Sequence, residues 1–546
     1  MSTTTTNIVT ADHRGSKFVL AASSYEEEQA EFIASLPLGK WDRKLIAYTC
    51  DATPAAAYRI SLREDFAVDG TIRSIAERFS RRLESISNEQ PVIRRHDAWP
   101  HQAWAYHWSY NNDASIANVC MGGGKSKITI DLIQNKQFWS TLILCPTQVR
   151  AVWPKEIVKH GAIDVKVSVL ESGTTITKAR QIKENMEFVT RGITPVVFVL
   201  NYESCWREPL ASEILGIQWD AVILDESHRI KSHDSNVSKF CAKLSRRAAF
   251  RLCLTGTMMS VPSDVFGQYR FLDPGVFGTS FHRFQARYAV MNRYIPHKVD
   301  QWVNQDEFAE RVGWLAYRVG PEVLKDLPDA QHIQRPVVLS PKAMKFYQTL
   351  EKQMIAEIDG GTITAANGLV KLLRLQQATS GFMVEDETGN VIEIDTSKAD
   401  MLTEILEDIG NEPVVVVCKF KHDLATIEAV CQKLGKSYGE ISGARKDGLT
   451  NQATMNPDID VLGAQIQSGG VGIDLTRARY AVCYSVGFDL INYEQFLARI
   501  HRPGQTRDCT YFHLCAEKTV DHVVYGALKN KQNVIDSILS NLRGSR

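Results

Sequence analysis

Short apolar runs alternate with amphipathic stretches in two parts of the chain, over residues 113–272 and again over residues 414–514. Continuous apolar runs are typical of parallel strands that are covered on both faces, and the amphipathic stretches between them are typical of helices. The pattern therefore predicts an α/β protein with two units, each built on a parallel sheet. The predicted strands cover residues 115–119, 141–145, 196–200, 221–224 and 251–255 in the first unit, and 414–419, 460–464, 480–485 and 510–514 in the second.

The chain on either side of the first unit follows other patterns. Before it, residues 17–22 are predicted to form a strand and residues 25–35 a helix. After it, residues 275–335 are predicted to form a helical protrusion. A further apolar face at helical spacing is made by Ile72, Ile75, Phe79, Leu83 and Ile86. We therefore predict three domains: a small α+β domain over residues 1–90, a first lobe over 91–340 and a second lobe over 341–546.

The charge balance, the cysteines and the length of the apolar runs exclude some classes of protein. The chain has 546 residues, with 63 Lys plus Arg and 63 Asp plus Glu, so its formal net charge is +0. A nucleic-acid-binding protein without excess positive charge must concentrate its basic groups locally, which argues against a histone-like wrapper. The 11 cysteines form no C-x-x-C pair, and no apolar run approaches the ~20 residues of a membrane span. We expect a soluble protein with reduced thiols, in the cytoplasm of a bacterial or phage-infected cell.

A glycine run separates a predicted strand from a predicted helix, and a lysine and a serine follow it. Gly122, Gly123 and Gly124 let the backbone wrap closely around an anion, and the amide groups that start the helix point at that anion. In the phosphate-binding loop pattern, Lys125 would reach the β- and γ-phosphates of ATP and the Ser126 hydroxyl would hold Mg²⁺. The strict pattern begins with a glycine that this chain lacks, so an ordinary strand-to-helix turn stays an alternative.

A second apolar run, residues 221–224, ends in two carboxylates, Asp225 and Glu226. Ligands of open parallel sheets lie beyond the carboxyl ends of the strands. We therefore expect Asp225 to hold Mg²⁺ and Glu226 to orient and deprotonate the attacking water. A solvated acidic strand end is the alternative.

Two arginines near the end of the second unit, Arg499 and Arg502, are three residues apart, so on a helix they would share one face. Phosphoryl transfer needs positive charge at the γ-phosphate in the transition state, and an arginine that supplies it is worth about 10³–10⁵ in rate. Gln495 and residues 501–505 accompany the pair and favour this role over a solvated basic helix face.

In this order along the chain, the motifs resemble those of superfamily 2 helicase-type ATPases, and within them the Swi/Snf-like branch of double-stranded DNA translocases. The resemblance extends from about residue 99 to residue 533. Further matching motifs are PHQ at 100–102, LILCPT at 142–147, DESHRIK at 225–231, LTGT at 254–257, FLDPGVFG at 271–278 and SGGVGIDLT at 468–476. Residues 36–48 are similar to the small HARP-like domain of annealing helicases, which favours branched DNA. A structural cap on the motor is the alternative for that domain.

The resemblance implies two tandem RecA-like domains with helical protrusions, and the use of ATP and Mg²⁺ as cofactors. Gln102 matches the glutamine that reads the adenine. The catalytic positions implied are Lys125, Asp225, Glu226, Arg499 and Arg502. The metal-binding positions implied are Ser126 and Asp225. The other nucleotide-binding positions implied are Gly122, Gly123, Gly124, Gly472, Asp474 and Gln495.

Four positions depart from the family pattern. A proline usually follows the T-G-T motif, where this chain has Met258. Asp474 stands where many members carry asparagine, and Phe488 stands at a position that is commonly tryptophan. Lys419-Phe420 replaces a serine-containing motif. None of these departures removes a catalytic group, and all of them concern how hydrolysis is coupled to movement.

The nucleic-acid contacts implied by the resemblance go mainly to the phosphate backbone, which carries no sequence information. We therefore expect binding that is independent of sequence and strongly dependent on salt. Helix N-capping is the alternative role for the hydroxyls of Thr147 and Ser468. The implied contacts are Pro146, Thr147, Arg150, Asn201, Tyr202, Lys419, Ser468 and Gly469.

The main functional hypothesis is an ATP-driven translocase on duplex or forked DNA that remodels branched DNA or displaces bound protein. A strand-separating DNA or RNA helicase is one alternative, although the sequence identifies no wedge or pin. A nucleotide-gated DNA-binding scaffold with slow hydrolysis is the other. We expect a monomer, no membrane association, and a replication or recombination protein as a partner, in a DNA repair, replication or recombination process.

Overall fold

The computed structural model describes residues 8–88, 98–161, 164–171, 173–293, 299–324, 327–359, 365–385, 389–450, 453–466 and 473–530. The chain divides into two compact units, Met1–Val323 and Leu324–Arg546. Each unit contains one parallel sheet flanked by helices, so the predicted fold class is confirmed.

The first unit begins with a small module built on a five-stranded sheet of order β3-β4-β2-β1-β5. Its strands are β1 (Val9–Arg14), β2 (Lys17–Ala21), β3 (Lys40–Asp42), β4 (Ala47–Asp51) and β5 (Phe66–Val68). Its helices are α1 (Glu27–Ser35), α2 (Pro54–Ser61) and α3 (Gly70–Asn88). The module is the predicted α+β domain, and its sheet and helices enclose a hydrophobic core of their own.

The N-terminal module is fixed to the first lobe by buried contacts. Phe79 of α3 packs against Tyr58 and Trp314, with ring centroids 5.3 and 5.9 Å away. The Ala55 amide donates to the Asp273 carboxylate over 3.0 Å, and the buried Arg59 guanidinium donates to the Gly275 carbonyl over 3.0 Å. The side chains of Leu83 and Ile86, predicted for the same apolar face as Phe79, lie outside the described residues.

The first lobe is a seven-stranded parallel sheet of order β14-β6-β11-β10-β7-β9-β8. Its strands are β6 (Ala114–Val119), β7 (Ser140–Cys145), β8 (Lys166–Val169), β9 (Val196–Asn201), β10 (Trp219–Asp225), β11 (Ala248–Thr255) and, after a hairpin of β12 (Ala289–Met291) and β13 (Val299–Trp302), β14 (Ala316–Val319). Its helices are α4 (Pro100–Asn111), α5 (Lys125–Asn135), α6 (Val152–His160), α7 (Thr175–Thr190), α8 (Tyr202–Cys205), α9 (Leu210–Gly216), α10 (Asn236–Leu244), α11 (Val265–Leu272), α12 (Phe281–Tyr288) and α13 (Gln305–Gly313).

The second unit is a six-stranded parallel sheet of order β15-β22-β21-β18-β20-β19. Its strands are β15 (Ala330–Val337), β18 (Val414–Cys418), β19 (Tyr438–Ile441), β20 (Val461–Gln465), β21 (Tyr480–Cys483) and β22 (Cys509–Ala516), with a separate hairpin of β16 (Phe382–Val384) and β17 (Val391–Glu393). Its helices are α14 (Pro341–Asp359), α15 (Ala365–Thr379), α16 (Ser397–Ile409), α17 (Lys421–Lys433), α18 (Leu490–Ile500) and α19 (Val520–Lys529).

The prediction of a helical protrusion over residues 275–335 is wrong in part. The segment contains two helices, but also the β12–β13 hairpin and strand β14, which extends the first sheet. It ends in β15, which pairs with β22 along its whole length, so the second sheet begins before residue 341. These strands are short or largely exposed, and edge strands of this kind lack the continuous apolar run that marks a buried strand.

Candidate active site

The predicted phosphate loop connects the end of β6 to the start of α5. Gly122 and Gly124 have φ angles of 77° and 86°, in the left-handed region that favours glycine. A Cβ at Gly124 would lie 2.2 Å from the Gln102 amide nitrogen, and one at Gly123 would lie 2.6 Å from a Val119 methyl carbon. The loop therefore needs glycine for close packing as well as for its backbone angles. It delivers the backbone to a helix N-terminus, the arrangement that suits an anion.

The two polar side chains predicted to follow the loop lie in the first turn of α5. The Lys125 ammonium donates to the Val119 carbonyl over 3.2 Å, which folds its side chain back over the loop. Ser126 is half-buried next to it. Gln102 lies under the loop: its amide nitrogen donates to the Gly123 carbonyl over 3.2 Å, and its amide oxygen accepts from the Trp99 amide over 3.1 Å. Its predicted role in reading adenine stays a prediction.

The predicted acidic residues lie at the carboxyl end of β10, in the middle of the first sheet. The Asp225 carboxylate is buried and accepts a hydrogen bond from the Trp153 indole over 3.2 Å. Burial raises the pKa of Asp225 to about 7, the neighbouring Glu226 carboxylate adds to this rise, and the Lys125 ammonium opposes it. The fold thus brings the loop lysine and both carboxylates into one electrostatically linked group.

Glu226 is held in an unusual conformation. Its φ is 53°, a left-handed backbone that few residues other than glycine adopt. Its carboxylate is buried and lies 3.4 Å from the His228 ring nitrogen. Strained backbones of this kind persist where the surrounding structure enforces them, and they cluster at functional sites. The strained backbone and the buried carboxylate of Glu226 are therefore typical of a residue at a functional site.

The residues present fit a magnesium ion. A buried carboxyl with a second carboxyl beside it is destabilised when ionised, and a divalent cation would relieve that cost. Among the described residues there is no cluster of three or more His, Cys, Asp or Glu side chains that could hold a metal by themselves. Mg²⁺ usually takes one or two protein ligands and completes its shell with water and phosphate oxygens. Ser126 and Asp225 remain the predicted ligands.

A polar residue that was not predicted from the sequence joins two of the predicted motifs. Gln268 of α11 is fully buried, and its amide oxygen accepts a hydrogen bond from the Ser227 hydroxyl over 2.7 Å. Its amide nitrogen donates to the Met258 carbonyl over 2.8 Å. Gln268 thus connects the acidic end of β10 to the loop that follows the T-G-T motif. The sequence signal is faint: one amide in the otherwise mostly apolar segment VFGQYRFL.

In the second unit, the predicted nucleotide-sensing residues gather around the segment of residues 473–476. The Arg502 guanidinium donates to the Ile473 carbonyl over 3.3 Å, and the Arg499 carbonyl accepts from the Leu475 amide over 3.0 Å. The Asp474 carboxylate accepts from the Thr476 amide and hydroxyl over 2.9 and 2.7 Å. Gln495 is buried in α18, and Gly472 lies outside the described residues.

The prediction that Arg499 and Arg502 share one helix face is wrong. Helix α18 ends at Ile500, and His501 has left the helical conformation. The residue before a proline is disfavoured in the α region, and Pro503 follows Arg502, which explains why the helix stops short of Arg502. The proposed role of both arginines does not depend on a shared helix and stays a prediction.

The predicted nucleic-acid contacts of the first lobe lie at the carboxyl ends of β7 and β9, and an unpredicted carboxylate joins them. Glu203 accepts hydrogen bonds from the Thr147 hydroxyl over 3.1 Å and from the Asn201 amide over 2.9 Å. Burial alone raises the pKa of Glu203, but hydrogen bonds from its own amide, Asn201 and Thr147 outweigh burial and lower the pKa overall. The Arg150 guanidinium donates to the Leu170 and Glu171 carbonyls over 2.8 and 2.9 Å.

The Tyr202 side chain is a core group rather than a surface group. Its ring is buried, and its hydroxyl donates to the Asp225 carbonyl over 2.9 Å. A contact from the Tyr202 side chain to nucleic acid does not fit this placement, and a contact through its main chain stays a prediction. The ring follows a strand that is buried on both faces, and its hydroxyl is hydrogen-bonded to the end of the strand that carries Asp225.

Lys419, one of the predicted contacts of the second unit, is half-buried. Its ammonium donates to the Gln376 amide oxygen over 2.6 Å and lies 3.9 Å from the centre of the Phe488 ring. Burial lowers the pKa of Lys419 to about 7, and Asp423 opposes that shift. Ser468 and Gly469 lie outside the described residues.

Two protein-family models match most of the chain. A family model described as "SNF2-related domain" matches residues 67–381, and one described as "Helicase conserved C-terminal domain" matches residues 397–504. A "Putative protein p41" from Acyrthosiphon pisum secondary endosymbiont phage 1 is 27% identical over 78% of this chain and 94% of its own. The resemblance inferred from the motifs is confirmed.

Longer animal proteins are also similar. The Caenorhabditis elegans homolog of SWI/SNF-related matrix-associated actin-dependent regulator of chromatin subfamily A-like protein 1 is 25% identical over 77% of this chain and 58% of its own length. The human DNA annealing helicase and endonuclease ZRANB3 is 25% identical over 77% of this chain and 38% of its own length. The chain therefore spans between about two fifths and three fifths of these relatives.

Among solved structures, the Sulfolobus solfataricus SWI2/SNF2 ATPase core in complex with dsDNA is 19% identical and covers 83% of this chain and 95% of that chain, with a TM-score of 0.39.

Across the described residues of the present chain, no helix is both long enough and apolar enough to span a membrane.

Proposed function

Since the chain belongs to the SNF2-related family of superfamily 2 helicase-type ATPases, we propose that it hydrolyses ATP in order to move along duplex or forked DNA and remodel it. The observation that carries the proposal is the grouping of the phosphate loop, Lys125 and the two buried carboxylates at the carboxyl ends of the central strands β6 and β10. A scaffold that has lost hydrolysis would not need a strained glutamate beside a buried aspartate.

In this proposal, the amides of the phosphate loop and six side chains carry out ATP hydrolysis. The loop amides and Lys125 bind the phosphates, and Ser126 and Asp225 hold Mg²⁺, which would screen phosphate charge and orient the γ-phosphate when bound. Glu226 accepts a proton from the attacking water as the water oxygen bonds to the γ-phosphorus, while the bond from that phosphorus to the β–γ bridging oxygen breaks and ADP leaves. Arg499 and Arg502 supply positive charge that stabilises the transition state.

The proposed DNA substrate rests on the family and on the contacts at the carboxyl ends of β7 and β9. Hydroxyl, amide and main-chain groups there can bind phosphates that carry no base identity, so the motor would tolerate any sequence. We propose that the protein acts as a monomer in the cytoplasm, that it serves DNA repair, replication or recombination, and that a replication or recombination protein is its partner.

Steady-state ATPase measurements test the proposal. Wild type and Lys125→Ala are compared without nucleic acid and with single-stranded DNA, linear duplex, forked DNA and RNA. Stimulation by duplex or forked DNA that is absent in Lys125→Ala is the expected result. Stimulation by single strands or RNA alone would instead indicate a strand-separating helicase. No stimulation by any of them would favour a nucleotide-gated scaffold.

Two further variants separate binding from chemistry. Glu226→Gln should bind ATP but stall hydrolysis, because the amide cannot accept the proton of water. Arg502→Ala should lower kcat far more than ATP affinity, because its charge matters most in the transition state. Normal turnover by both variants would refute the assigned roles, whichever nucleic acid stimulates the enzyme.

A further inference from the structure

A cleft lies where the N-terminal module meets the first lobe. Helices α1 and α2 form one wall, and helix α12 with the segment before it forms the other. The cleft has a volume of about 760 Å³, and sites for small molecules typically measure about 300–1,000 Å³. None of the predicted site residues that the structure describes lines it. The cleft is therefore distinct from the candidate ATP site, and the residues of its walls decide what it can bind.

The two walls of the cleft meet closely at one end. Gly278 of the first lobe has a φ of 80°, and a Cβ at this position would lie 2.7 Å from the Ser35 carbonyl oxygen of the module. The Arg283 guanidinium of α12 donates a hydrogen bond to the Ala34 carbonyl at the end of α1. These contacts join module and lobe directly, so the cleft is formed before any ligand binds, as is usual for small-molecule sites.

One wall of the cleft contains a buried cation without an anionic partner. Arg59 is 6% exposed, and its guanidinium donates only to neutral oxygens, among them the Gly275 carbonyl over 3.0 Å. Among the described residues, no carboxylate pairs with it, and its Nε has no hydrogen-bond partner. Burial lowers the pKa of Arg59 to about 9, and the neighbouring Arg311 guanidinium lowers it further. A buried charge is costly unless it is paired, so an anion that enters the cleft would stabilise this one.

The other charged residues of the cleft also favour an anion. Among the described residues, five arginines and two glutamates line it. Arg287 and Arg311 share a single carboxylate, that of Glu307, whereas Arg63 is paired within its own module. Arg283 forms no ion pair with a carboxylate of the described residues. The guanidinium group presents a planar fork of donors that matches phosphate, so phosphate is the anion that these walls fit best.

Aromatic rings line the cleft together with the arginines. Phe32 of α1 is half-buried, and the guanidinium carbons of Arg59 and Arg63 lie 5.5 and 5.2 Å from the centre of its ring. The buried rings of Phe277 and Tyr288 belong to the opposite wall. Aromatic rings and guanidinium planes both stack on the flat face of a nucleic-acid base. A ligand that satisfies both kinds of residue therefore combines a phosphate with a flat ring.

We propose that this cleft binds a free nucleotide, with its phosphate held by Arg59 and Arg283 and its base against Phe32. A run of acidic side chains would supply the charge but not the ring. The backbone of a DNA duplex fits less well, because the Arg59 guanidinium is buried below the surface. A nucleotide bound here would contact both the module and the first lobe, and would therefore stabilise their association. The proposal does not depend on ATP hydrolysis, since it involves none of the residues assigned to that reaction.

Equilibrium titration of the full-length protein tests this assignment. The probes are thymidine 5′-monophosphate and adenosine 5′-monophosphate, which lack the β- and γ-phosphates that the candidate ATP site is expected to bind. Thymidine and inorganic phosphate are titrated separately, because each supplies one half of the ligand. Affinity and the unfolding temperature of the first unit are measured. The same titrations with Lys125→Ala identify any binding at the phosphate loop by its loss.

Two variants alter the cleft, and a third is a matched control. Arg283→Glu reverses a charge on an exposed side chain of the cleft. Arg59→Lys keeps the buried charge but removes the planar fork. The control is Arg78→Glu, the same charge reversal at an exposed arginine of α3 that does not line the cleft. The unfolding temperature of each variant without ligand shows whether it has folded.

The expected results differ between the variants. At about 100 times Kd, either nucleotide should raise the unfolding temperature of the wild-type first unit by about 4–6 °C. Arg283→Glu and Arg59→Lys should each weaken nucleotide binding by about tenfold or more, because a charge-assisted hydrogen bond to phosphate is lost. Arg78→Glu and Lys125→Ala should bind like wild type. Thymidine and inorganic phosphate should each bind more weakly than either nucleotide.

Three outcomes would overturn the assignment. The first is a wild type that binds neither nucleotide at millimolar concentration. The second is nucleotide binding that is unchanged in both Arg283→Glu and Arg59→Lys, which would place the bound nucleotide elsewhere. The third is inorganic phosphate that binds as tightly as the nucleotides, which would exclude a contact with the base. Because binding and not turnover is measured, each outcome is distinguishable from failure of the proposed motor.

Discussion

Replacing Gln268 with leucine should disconnect the acidic strand end from the loop after the T-G-T motif. Leucine has a similar volume and is apolar, so it removes the hydrogen bonds to Ser227 and Met258 without opening a large cavity. Each of these buried groups, left without a partner, costs about 1–3 kcal/mol. We therefore expect Gln268→Leu to lower the unfolding free energy of the first unit by about 2–5 kcal/mol. Because Ser227 is the neighbour of Glu226, we also expect kcat to fall by about tenfold or more, with little change in KM for ATP.

The assay combines DNA-stimulated ATPase with thermal unfolding, and uses a double-mutant cycle. Ser227→Ala removes the donor to Gln268, so the combined variant should lose less than the sum of the two single variants, with a coupling of about 0.5–3 kcal/mol. Gln268→Glu keeps an acceptor for Ser227 but loses the donor to the Met258 and Asp264 carbonyls, which separates the Ser227 hydrogen bond from the other two. Losses that simply add, or a Gln268→Leu variant with wild-type turnover, would refute the reasoning.

Three further predictions concern the rest of the chain. Lys398→Met should lower the free energy of unfolding of the second unit, measured by denaturant titration, by about 3 kcal/mol, because the buried ion pair with Asp521, 2.7 Å long, loses one charge; adding Asp521→Asn should recover part of the loss. Duplex affinity should fall as pH rises from 6 to 8.5, because the pKa of Lys419 is lowered to about 7 and its charged form is lost above that pH; Lys419→Met should show less of this dependence. Phe79→Ala should destabilise the first unit by about 3–5 kcal/mol in calorimetry, since its ring is 4% exposed and packs on Trp314.

The central strands could be predicted because a parallel strand that is buried on both faces has a continuous apolar sequence. β18 reads VVVVC and is buried throughout, and β9 reads VVFVLN and is buried throughout. In the two large parallel sheets, the strands that escaped prediction lie at the edges: β8, β14, β15 and β19. β15 reads AQHIQRPV and buries only its last residue fully. Its place in the sheet depends on eight pairings with β22, some 180 residues later, and no local pattern reports pairings at that distance.

The residues of the candidate site fall into the same two groups, those that a local sequence pattern predicts and those whose position depends on distant contacts. The glycines, Lys125 and the two carboxylates could be predicted because they lie in contiguous motifs, in which neighbouring residues of the chain act together. The residues that hold them in place could not, because Gln268 lies 41 residues from Ser227 and Trp153 lies 72 residues from Asp225. For the same reason, Tyr202 was assigned to nucleic acid from its motif, although its hydroxyl reaches back to Asp225.

The placement of Tyr202 and Trp153 bears on how DNA would control hydrolysis. Both residues follow segments that carry predicted nucleic-acid contacts, Asn201 and Thr147. Tyr202 bonds the main chain of Asp225, and Trp153 bonds its carboxylate. A nucleic-acid strand that displaces the Glu203 carboxylate from Thr147 and Asn201 would therefore shift two segments. Each of these segments is hydrogen-bonded to Asp225, one through Tyr202 and the other through Trp153. Burial already raises the pKa of that aspartate to about 7, so a change in its hydrogen bonds would change how readily it ionises. We therefore predict that a nucleic-acid strand bound at Thr147 and Asn201 changes the rate of ATP hydrolysis through this one set of hydrogen bonds within the first lobe.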